Sequence, residues 1–376
     1  MAGPMKISQL YIYPIKSLRP TRVPTAILTR HGLAYDRHFM LLKLEPDGRL
    51  TNLYVAKDNE LALFRTDIVF PSAVTTNDNN KEGRGGGGGE IRVSYQAPLG
   101  HVERDVVKTL SIPLQPEVEG LEVVEVVMHA SPTRAYLMGG GYSGWFSECL
   151  GYQVRLAYLG GNRRRVLGSL HPGFVDKGGS ENNKGEEGGD GGGWLSSIAK
   201  SVPYFGNPAA AENEENEEDE EGITFADIAA YLVTSETSLD DVSARLPDGE
   251  TMDITKFRPN IVLSGAEKAF EEDFWAEITV KDSVRFTLTS NCGRCVSINV
   301  DYDTGAQGDG EAGSVLKKLM RDRRVDKGAK YSPIFGRYGF IDKGSVGGEI
   351  AVGDEVVVSR VNGEHTTFYW PKVSTN

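Results

Sequence analysis

Short segments that alternate apolar and polar side chains, each ended by a glycine, a proline or a charged turn, recur along most of this sequence. Lys6 to Tyr13 alternates in this way and is rich in branched and aromatic residues, as a half-buried strand is, and Pro14 ends it. Val23 to Thr29 and Arg37 to Leu44 follow on either side of a turn at His31-Gly32. Because a side-chain period of two buries one face of a sheet, the sequence predicts a β-meander at its start.

Strand patterns continue through the rest of the chain, with few helices between them. They lie at Glu90 to Tyr95, Val102 to Leu110, Leu121 to Met128, Tyr152 to Tyr158, Asn260 to Ser264, Trp275 to Val280, Ser283 to Thr289, near Phe340, and at Glu355 to Arg360. Helices are predicted at Tyr142 to Leu150, at Ser238 to Leu246 after a cap at Thr237 or Ser238, and at Gly313 to Arg323. The sequence therefore predicts a mainly β (α+β) fold.

Two stretches of low complexity interrupt these patterns. Residues 77–89 end in a run of glycines, and residues from about 175 to 222 combine glycine-rich with acidic sequence. Neither stretch holds enough apolar surface to offset the entropy lost on ordering. We expect a flexible loop at 77–89 and a disordered insertion at about 175–222, in which Trp194 to Phe205 is either a weakly structured island or a short amphipathic helix.

The length of the chain allows two domains. At 376 residues it exceeds the roughly 250–300 residues at which a single core usually stops growing. After His129 the pattern changes from strands alone to a helix followed by a strand. We therefore expect one domain at 5–130 and a second at 131–365.

The distribution of charge matters more than its sum. The formal net charge is −12, but Glu212 to Glu221 alone holds eight acidic residues, so the remainder is close to balance. Such a remainder is compatible with a basic pocket for a small anion. No nucleic-acid partner is expected.

Cysteine usage and the absence of targeting patterns indicate a location. Cys149, Cys292 and Cys295 make an odd number, which is a poor basis for a disulfide framework and favours a reducing compartment. We find neither a basic segment followed by an apolar core at the start nor a run near the roughly 20 apolar residues that span a bilayer. We expect a soluble cytoplasmic protein without a stable membrane span, with mitochondrial association as the alternative.

The tetrapeptide Cys292-Gly-Arg-Cys295 is the most reactive feature of the sequence. No second pair of thiols or histidines completes a zinc site, and a redox dithiol usually begins a helix, whereas Val296 to Val300 alternates as a strand does. Arg294 beside a thiolate would lower the pKa of the thiol and bind an anion, and a soft metal suits that thiolate. The alternative is that both cysteines are small buried hydrophobes.

An ordered series of motifs extends this interpretation to most of the chain. The series consists of YPIKS at Tyr13, GLAYDRHFML at Gly32, SETSL at Ser235, KFRPNIVLSG at Lys256, EEDFW at Glu271, CGRC at Cys292, VDYDTG at Val300 and SPIFGRYG at Ser332. It resembles the family in which an N-terminal β-barrel domain precedes a MOSC domain, and which includes the mitochondrial amidoxime-reducing components and the C-terminal part of molybdenum-cofactor sulfurases. The resemblance implies a MOSC β-barrel with a preceding β-barrel-like N-terminal domain.

The same resemblance implies a cofactor and its ligands. Family members bind molybdenum cofactor (Mo-molybdopterin), and the second cysteine of the CxRC motif, here Cys295, is the metal ligand and the catalytic residue. The implied cofactor-binding residues are Lys16, Ser17, Arg37, Asp227, Arg258, Asn260 and Arg294.

Physical chemistry supports these positions, with an alternative for several. Ammonium and guanidinium groups bind phosphate oxygens, and an amide can pair with the polar edge of a pterin. Alternatively, Lys16 is a solvated loop lysine, Arg37 pairs structurally with Asp36, and Arg258 is a surface charge. His129 could line a substrate pocket, although a lone histidine is more often structural.

We expect a molybdenum-dependent oxidoreductase that reduces N-hydroxylated or other N–O substrates. The chain holds no ferredoxin-type cysteine set, so electrons would come from separate donor proteins of the cytochrome b5 or flavin reductase type, and the substrate would be a small molecule. The alternatives are a carrier or storage protein for the cofactor and a sulfur-carrier domain that uses a persulfide on Cys295.

Overall fold

The computed structural model describes residues 4–71, 88–173, 222–247 and 249–371. The expected flexible loop at 77–89, apart from its last two residues, lies outside the described residues. The expected insertion at about 175–222, apart from residue 222, and the segment Trp194 to Phe205 within it also lie outside them. The described parts of residues 1–174 and 221–376 belong to one compact unit, and the expected boundary at 130/131 stays a prediction.

Strands dominate the described residues. The first twelve are β1 (Lys6–Ile12), β2 (Thr21–Val23), β3 (Thr25–Thr29), β4 (Gly32–Leu33), β5 (Phe39–Leu44), β6 (Leu50–Asn52), β7 (Phe64–Val69), β8 (Glu90–Gln96), β9 (Val107–Pro113), β10 (Val123–Met128), β11 (Ser131–Leu137) and β12 (Val154–Tyr158). The others are β13 (Arg164–Arg165), β14 (Gly222–Ile223), β15 (Tyr231–Ser235), β16 (Ile261–Ser264), β17 (Trp275–Val280), β18 (Val284–Gly293), β19 (Val300–Asp301), β20 (Ala306–Gln307), β21 (Ile334–Ile341), β22 (Glu349–Ala351) and β23 (Val356–Val361).

Helices are few and short. The α-helices of the described ranges are α1 (Gly140–Leu150), α2 (Glu236–Ala244) and α3 (Val315–Leu319). The prediction of a mainly β chain with few helices is confirmed. Within these ranges, each helix falls short of the length and apolar character needed to cross a bilayer.

The largest sheet joins the two ends of the chain. Its eight strands have the order β2-β1-β16-β15-β21-β18-β17-β23. Strand β1 runs antiparallel to β16, with Lys6 opposite Ser264, and β2 pairs with the other edge of β1. The loop that follows β1 therefore lies beside strands that come more than 200 residues later.

A second sheet, of five strands in the order β10-β11-β12-β5-β6, packs against the same core. The side chains Ile12, Phe39, Leu156, Val233 and Leu263 are all buried in one apolar cluster drawn from both sheets. Each Å² of apolar surface removed from water contributes roughly 25 cal/mol to stability. Burial of these shared side chains is therefore the main interaction that holds the two sheets together.

Several predicted elements differ from the observed ones. Helix α2 begins after Ser235, not after Thr237 or Ser238, and the helix predicted at Gly313 to Arg323 is α-helical only at Val315–Leu319. The segment Val296–Asn299 is a 3-10 helix, not part of a strand, and its backbone bonds locally, with Ile298 N donating to Cys295 O at 3.4 Å.

Of the described strands with five or more residues, three have no detectable pattern in the sequence. Strand β15 is buried along its whole length and lies between parallel β16 and antiparallel β21, so its sequence does not alternate. Strands β7 and β11 alternate in burial, but polar residues and Pro132 weaken their apolar pattern. Strand β9 begins at Val107, later than predicted, because residues 102–105 form a turn.

A buried carboxyl makes stability depend on pH. Glu272 lies in the 3-10 helix Glu271–Phe274, is fully buried, and accepts a hydrogen bond of 2.7 Å from Ser238 Oγ on one oxygen only. Burial raises the pKa of this carboxyl from 4.5 to about 7. The folded state therefore holds a proton that the unfolded state has released, and stability falls as pH rises from 4.5 through 7.

We expect Glu272→Gln to remove part of this pH dependence. With about 1.4 kcal/mol for each pKa unit, the wild-type protein should lose about 2 kcal/mol of unfolding free energy through Glu272 between pH 5.5 and pH 8. Urea unfolding at both pH values measures the loss, and Glu267→Gln, at an exposed position, is the control. Equal pH dependence in the Glu272→Gln variant and the wild type would contradict the assignment.

Candidate functional site

A cavity of about 600 Å³ lies among the loops that follow the central strands. Six of the eight site residues predicted from the sequence line it: Lys16, Ser17, Arg37, Asp227, Arg258 and Cys295. They come from positions separated by up to 279 residues, so the fold and not the sequence neighbourhood brings them together.

The N-terminal side of the cavity is the loop after β1. Lys16 N donates to Phe39 O at 2.8 Å, and Arg37 N donates to Tyr13 O at 2.7 Å, so this loop and the segment before β5 fix each other. The carboxylate of Asp36 accepts a hydrogen bond of 2.8 Å from Tyr13 N. Lys16 and Ser17 are thereby held on the wall of the cavity.

Two arginines from distant parts of the chain enclose one aromatic ring. The guanidinium of Arg37 lies 4.5 Å from the centre of the Tyr13 ring, and that of Arg258 lies 4.4 Å from it. Arg37 also pairs with buried Asp36 and donates to Arg258 O at 3.2 Å. The two guanidiniums therefore lie close together around the Tyr13 ring.

Arg258 has donor capacity that the fold does not use. Its Nη1 donates to Leu18 O at 2.9 Å, whereas its buried Nη2 has no hydrogen-bond partner among the described residues. Burial, followed by the charge of Arg37, lowers the pKa of Arg258. A buried donor without a partner costs free energy, and an anionic ligand in the cavity would satisfy it.

Unusual backbone conformations also cluster around this cavity. Ser17, Arg37 and Arg258 have φ angles of 70°, 56° and 56°, and His129 beside them has 48°. These angles fall in the left-handed region that residues other than glycine seldom adopt, and such residues cluster at functional sites. Four of them line one cavity here.

An acidic group balances part of the positive charge. Lys16 Nζ forms an ion pair with Asp227, and His129 Nε2 lies 3.8 Å from the same carboxylate oxygen. Burial opposes ionisation of Asp227, but the charges of Lys16 and His129 outweigh it and hold the pKa of the carboxyl well below its usual range. Burial in turn lowers the pKa of Lys16, and Asp227 offsets part of that effect.

The two thiols of the CGRC segment have different environments. Cys292, at the end of β18, is 2% exposed, and burial raises the pKa of its thiol. Cys295 is exposed to the cavity at the start of the Val296–Asn299 helix, where its Sγ lies 3.2 Å from Ser297 Oγ. Only the second thiol can reach a ligand in the cavity.

Asn260 and Arg294, the other two predicted residues, lie behind the cavity wall. Asn260 is buried, its Oδ1 accepts from Arg37 Nη1 at 3.4 Å, and its Nδ2 donates to Tyr11 O at 3.3 Å. Arg294 donates to Phe257 O at 2.6 Å and to Phe335 O at 2.8 Å. Their polar atoms hold neighbouring loops in place.

Sequence reasoning missed several residues of the site. Buried Arg164 donates to Ala226 O at 2.5 Å and to Met128 O at 2.9 Å, so it joins the loops that carry Asp227 and His129. Trp370 lines the cavity and donates from Nε1 to His129 O at 2.6 Å. Neither residue belongs to a motif with a recognisable spacing, so no local signal could have identified them.

The fold and the cavity define a class of protein, a mainly β protein whose positively charged ligand cavity presents one accessible thiol. A model of the MOSC domain matches residues 220–357, and a model of the MOSC N-terminal beta barrel domain matches residues 4–153. The chain belongs to the MOSC domain family and carries the N-terminal β-barrel domain that the sequence analysis expected.

Named relatives are similar over part of their length. Mitochondrial amidoxime-reducing component 1 of Homo sapiens is 33% identical over 172 residues, which are 43% of this chain and 49% of the relative. Mitochondrial amidoxime reducing component 2 is 38% identical in Rattus norvegicus and 35% identical in Bos taurus, each over 135 residues, which are 36% of this chain and 38% of the relative. The matches span less than half the length of these relatives.

Proposed function

We propose that this protein binds molybdenum cofactor and reduces N-hydroxylated or other N–O compounds. The observation that carries the proposal is that one cavity holds both an accessible thiol, on Cys295, and two adjacent guanidinium groups, on Arg37 and Arg258. The guanidinium of Arg258 also has a buried donor without a partner among the described residues. A thiolate suits a soft metal, and paired guanidiniums suit a phosphate. The similarity to mitochondrial amidoxime-reducing components supports an amidoxime-reducing activity.

The residues present fit such a group. Cys295 would be the metal ligand and the catalytic residue, while Lys16, Ser17, Arg37 and Arg258 would hold the phosphate and the polar edge of the pterin. Asp227 would position the ammonium of Lys16. Asn260 and Arg294 would contribute by fixing Arg37 and the CGRC segment.

The reaction that we propose removes one oxygen atom. The N–O bond breaks, two electrons and two protons enter, and the products are the N–H compound and water. When bound, the cofactor supplies the two-electron change in metal oxidation state that this reaction requires. The apolar side chains of Val55, Met128 and Trp370 line the same cavity and would exclude water from the substrate.

Electrons would come from separate donor proteins of the cytochrome b5 or flavin reductase type, because the sequence holds no cysteine set for an iron–sulfur cluster. We also propose that the protein is located in the cytoplasm. Because the similar amidoxime-reducing components are mitochondrial, a mitochondrial location is the alternative.

The proposal is tested on protein purified from a host that makes molybdenum cofactor. We expect about one molybdenum and one pterin per chain, together with reduction of benzamidoxime, a simple N-hydroxylated base, when a chemical electron donor is supplied. Protein that holds molybdenum and pterin but reduces no N–O compound would be a cofactor carrier. Persulfide on Cys295 without molybdenum would indicate a sulfur-carrier domain.

A further inference from the structure

His129 occupies an unusual turn. Strands β10 and β11 pair from Val123–Tyr136 to Met128–Ser131, which leaves His129 and Ala130 as a two-residue hairpin loop. Their φ angles are 48° and 60°. Hairpin loops of this kind strongly favour Asn-Gly, because a residue with a large side chain is strained in the left-handed region. The chain therefore maintains a strained histidine where an unstrained turn would suffice for the hairpin.

Buried donors hold this turn from two sides. Trp370 Nε1 donates to His129 O at 2.6 Å, and Arg164 donates to Met128 O at 2.9 Å from Nη2. Arg164 is fully buried, and all the acceptors of its guanidinium are backbone carbonyls of this hairpin or of the loop that carries Asp227. Strain of this kind persists only where surrounding contacts determine the conformation.

The imidazole itself faces the cavity. Its side chain is 45% exposed, and Nε2 lies 3.8 Å from the Asp227 carboxylate, which orients the ring. The other charged groups around this carboxylate are Lys16, which pairs with it, and the buried guanidiniums of Arg164, Arg37 and Arg258. His129 and Asp227 thus lie in one cavity with Cys295.

The proposed reaction needs a proton at a defined atom. When an N–O bond breaks, the oxygen leaves as water only if it is protonated, and histidine is the side chain that most often transfers a proton to a reacting group. We propose that His129 is a catalytic proton donor, which delivers one of the two protons to the leaving oxygen of the N–O substrate. The inference rests on the proposed function. Solvent supplies the second proton and re-protonates the ring.

The variant that tests this role is His129→Asn. Asparagine tolerates the left-handed backbone and can bond to Asp227, but it cannot donate a proton near neutral pH. With benzamidoxime, we expect kcat to fall by about 100-fold or more, while KM and pterin content stay near wild type. The wild-type kcat should decrease as pH rises, and the variant should lose that dependence. His101→Asn, at an exposed histidine outside the cavity, is the matched control.

A second variant and a second readout separate this role from a structural one. In His129→Gly, which also suits the left-handed turn, added imidazole should restore the rate. By NMR, the ring signals of His129 in the cofactor-loaded wild type should shift when benzamidoxime is added, and those of His101 should not. Three results would each overturn the proton-donor role and leave the proposed function standing. They are a His129→Asn variant with wild-type kcat and pH dependence, a His129→Gly variant that imidazole does not rescue, and ring signals of His129 that do not shift. A loaded wild-type protein without N–O reductase activity would overturn both proposals.

Discussion

Replacing Cys295 by alanine should abolish N–O reductase activity and reduce the molybdenum content of the purified protein. The physical reason is that Cys295 presents the exposed thiol of the cavity, so its loss removes the proposed protein ligand of the metal. Loss of a residue that only supports a ligand typically costs roughly 10–100-fold in affinity or activity, so loss of the ligand itself should cost more. Metal analysis and the absorption spectrum of the loaded protein measure the effect.

Cys292→Ala is the matched control for this prediction. Its thiol is three residues away in sequence but 2% exposed, and burial raises its pKa, so it does not reach the cavity as a thiolate. We expect nearly full metal content and activity, with a small loss of stability from the missing sulfur atom. Normal metal spectra in both variants would refute the assignment of Cys295.

The second large effect is expected for Arg258→Ala. Loss of one cation from a desolvated contact with phosphate typically costs roughly 2–5 kcal/mol, which corresponds to about 30-fold to several-thousand-fold weaker binding. Pterin should therefore be lost during purification. Arg134→Ala, at an exposed position of β11, should retain it. Full pterin content in the Arg258→Ala variant would show that Arg258 does not hold the cofactor.

Arg37 requires a different substitution. Its guanidinium pairs with Asp36, which is 1% exposed, so alanine would leave a buried carboxylate without its partner at a cost of roughly 3–5 kcal/mol of stability. Arg37→Lys keeps the charge and removes the planar fork, so it separates ligand binding from folding. We expect partial pterin loss, with a melting temperature closer to wild type than that of Arg37→Ala.

Six of the eight site residues that the sequence predicts line one cavity, because their motifs lie in the loops around it. From the sequence, structural pairing with Asp36 is the alternative to a site role for Arg37. The side chain does both, since it is long enough to pair with Asp36 at one edge and line the cavity at the other. Asn260 and Arg294 mark the limit of such reasoning. A polar residue in a motif can face a ligand or its own backbone, and only the three-dimensional arrangement distinguishes them.

The features that could not be predicted from the sequence depend on long-range contacts. Arg164 and Trp370 act on the His129 turn from far along the chain, at separations of 36 and 241 residues from the carbonyls that they bind. The role of these two side chains becomes apparent only in the fold, where the hairpin between β10 and β11 lies beside them. The same applies to β15, where burial on both faces removes the alternation on which strand prediction depends.

The pairing of β1 with β16 has a consequence for synthesis in the cell. Strand β1 can pair with β2 soon after synthesis, but its second partner, β16, is complete only after Ser264 has emerged, 258 residues after Lys6. At roughly 5–20 residues per second, that delay is about 10 to 50 seconds. During this time the apolar face of β1 is exposed, and the loop with Lys16 and Ser17 has no opposite wall. Nascent chains should therefore depend on chaperones, and loading of any ligand in the cavity should be post-translational.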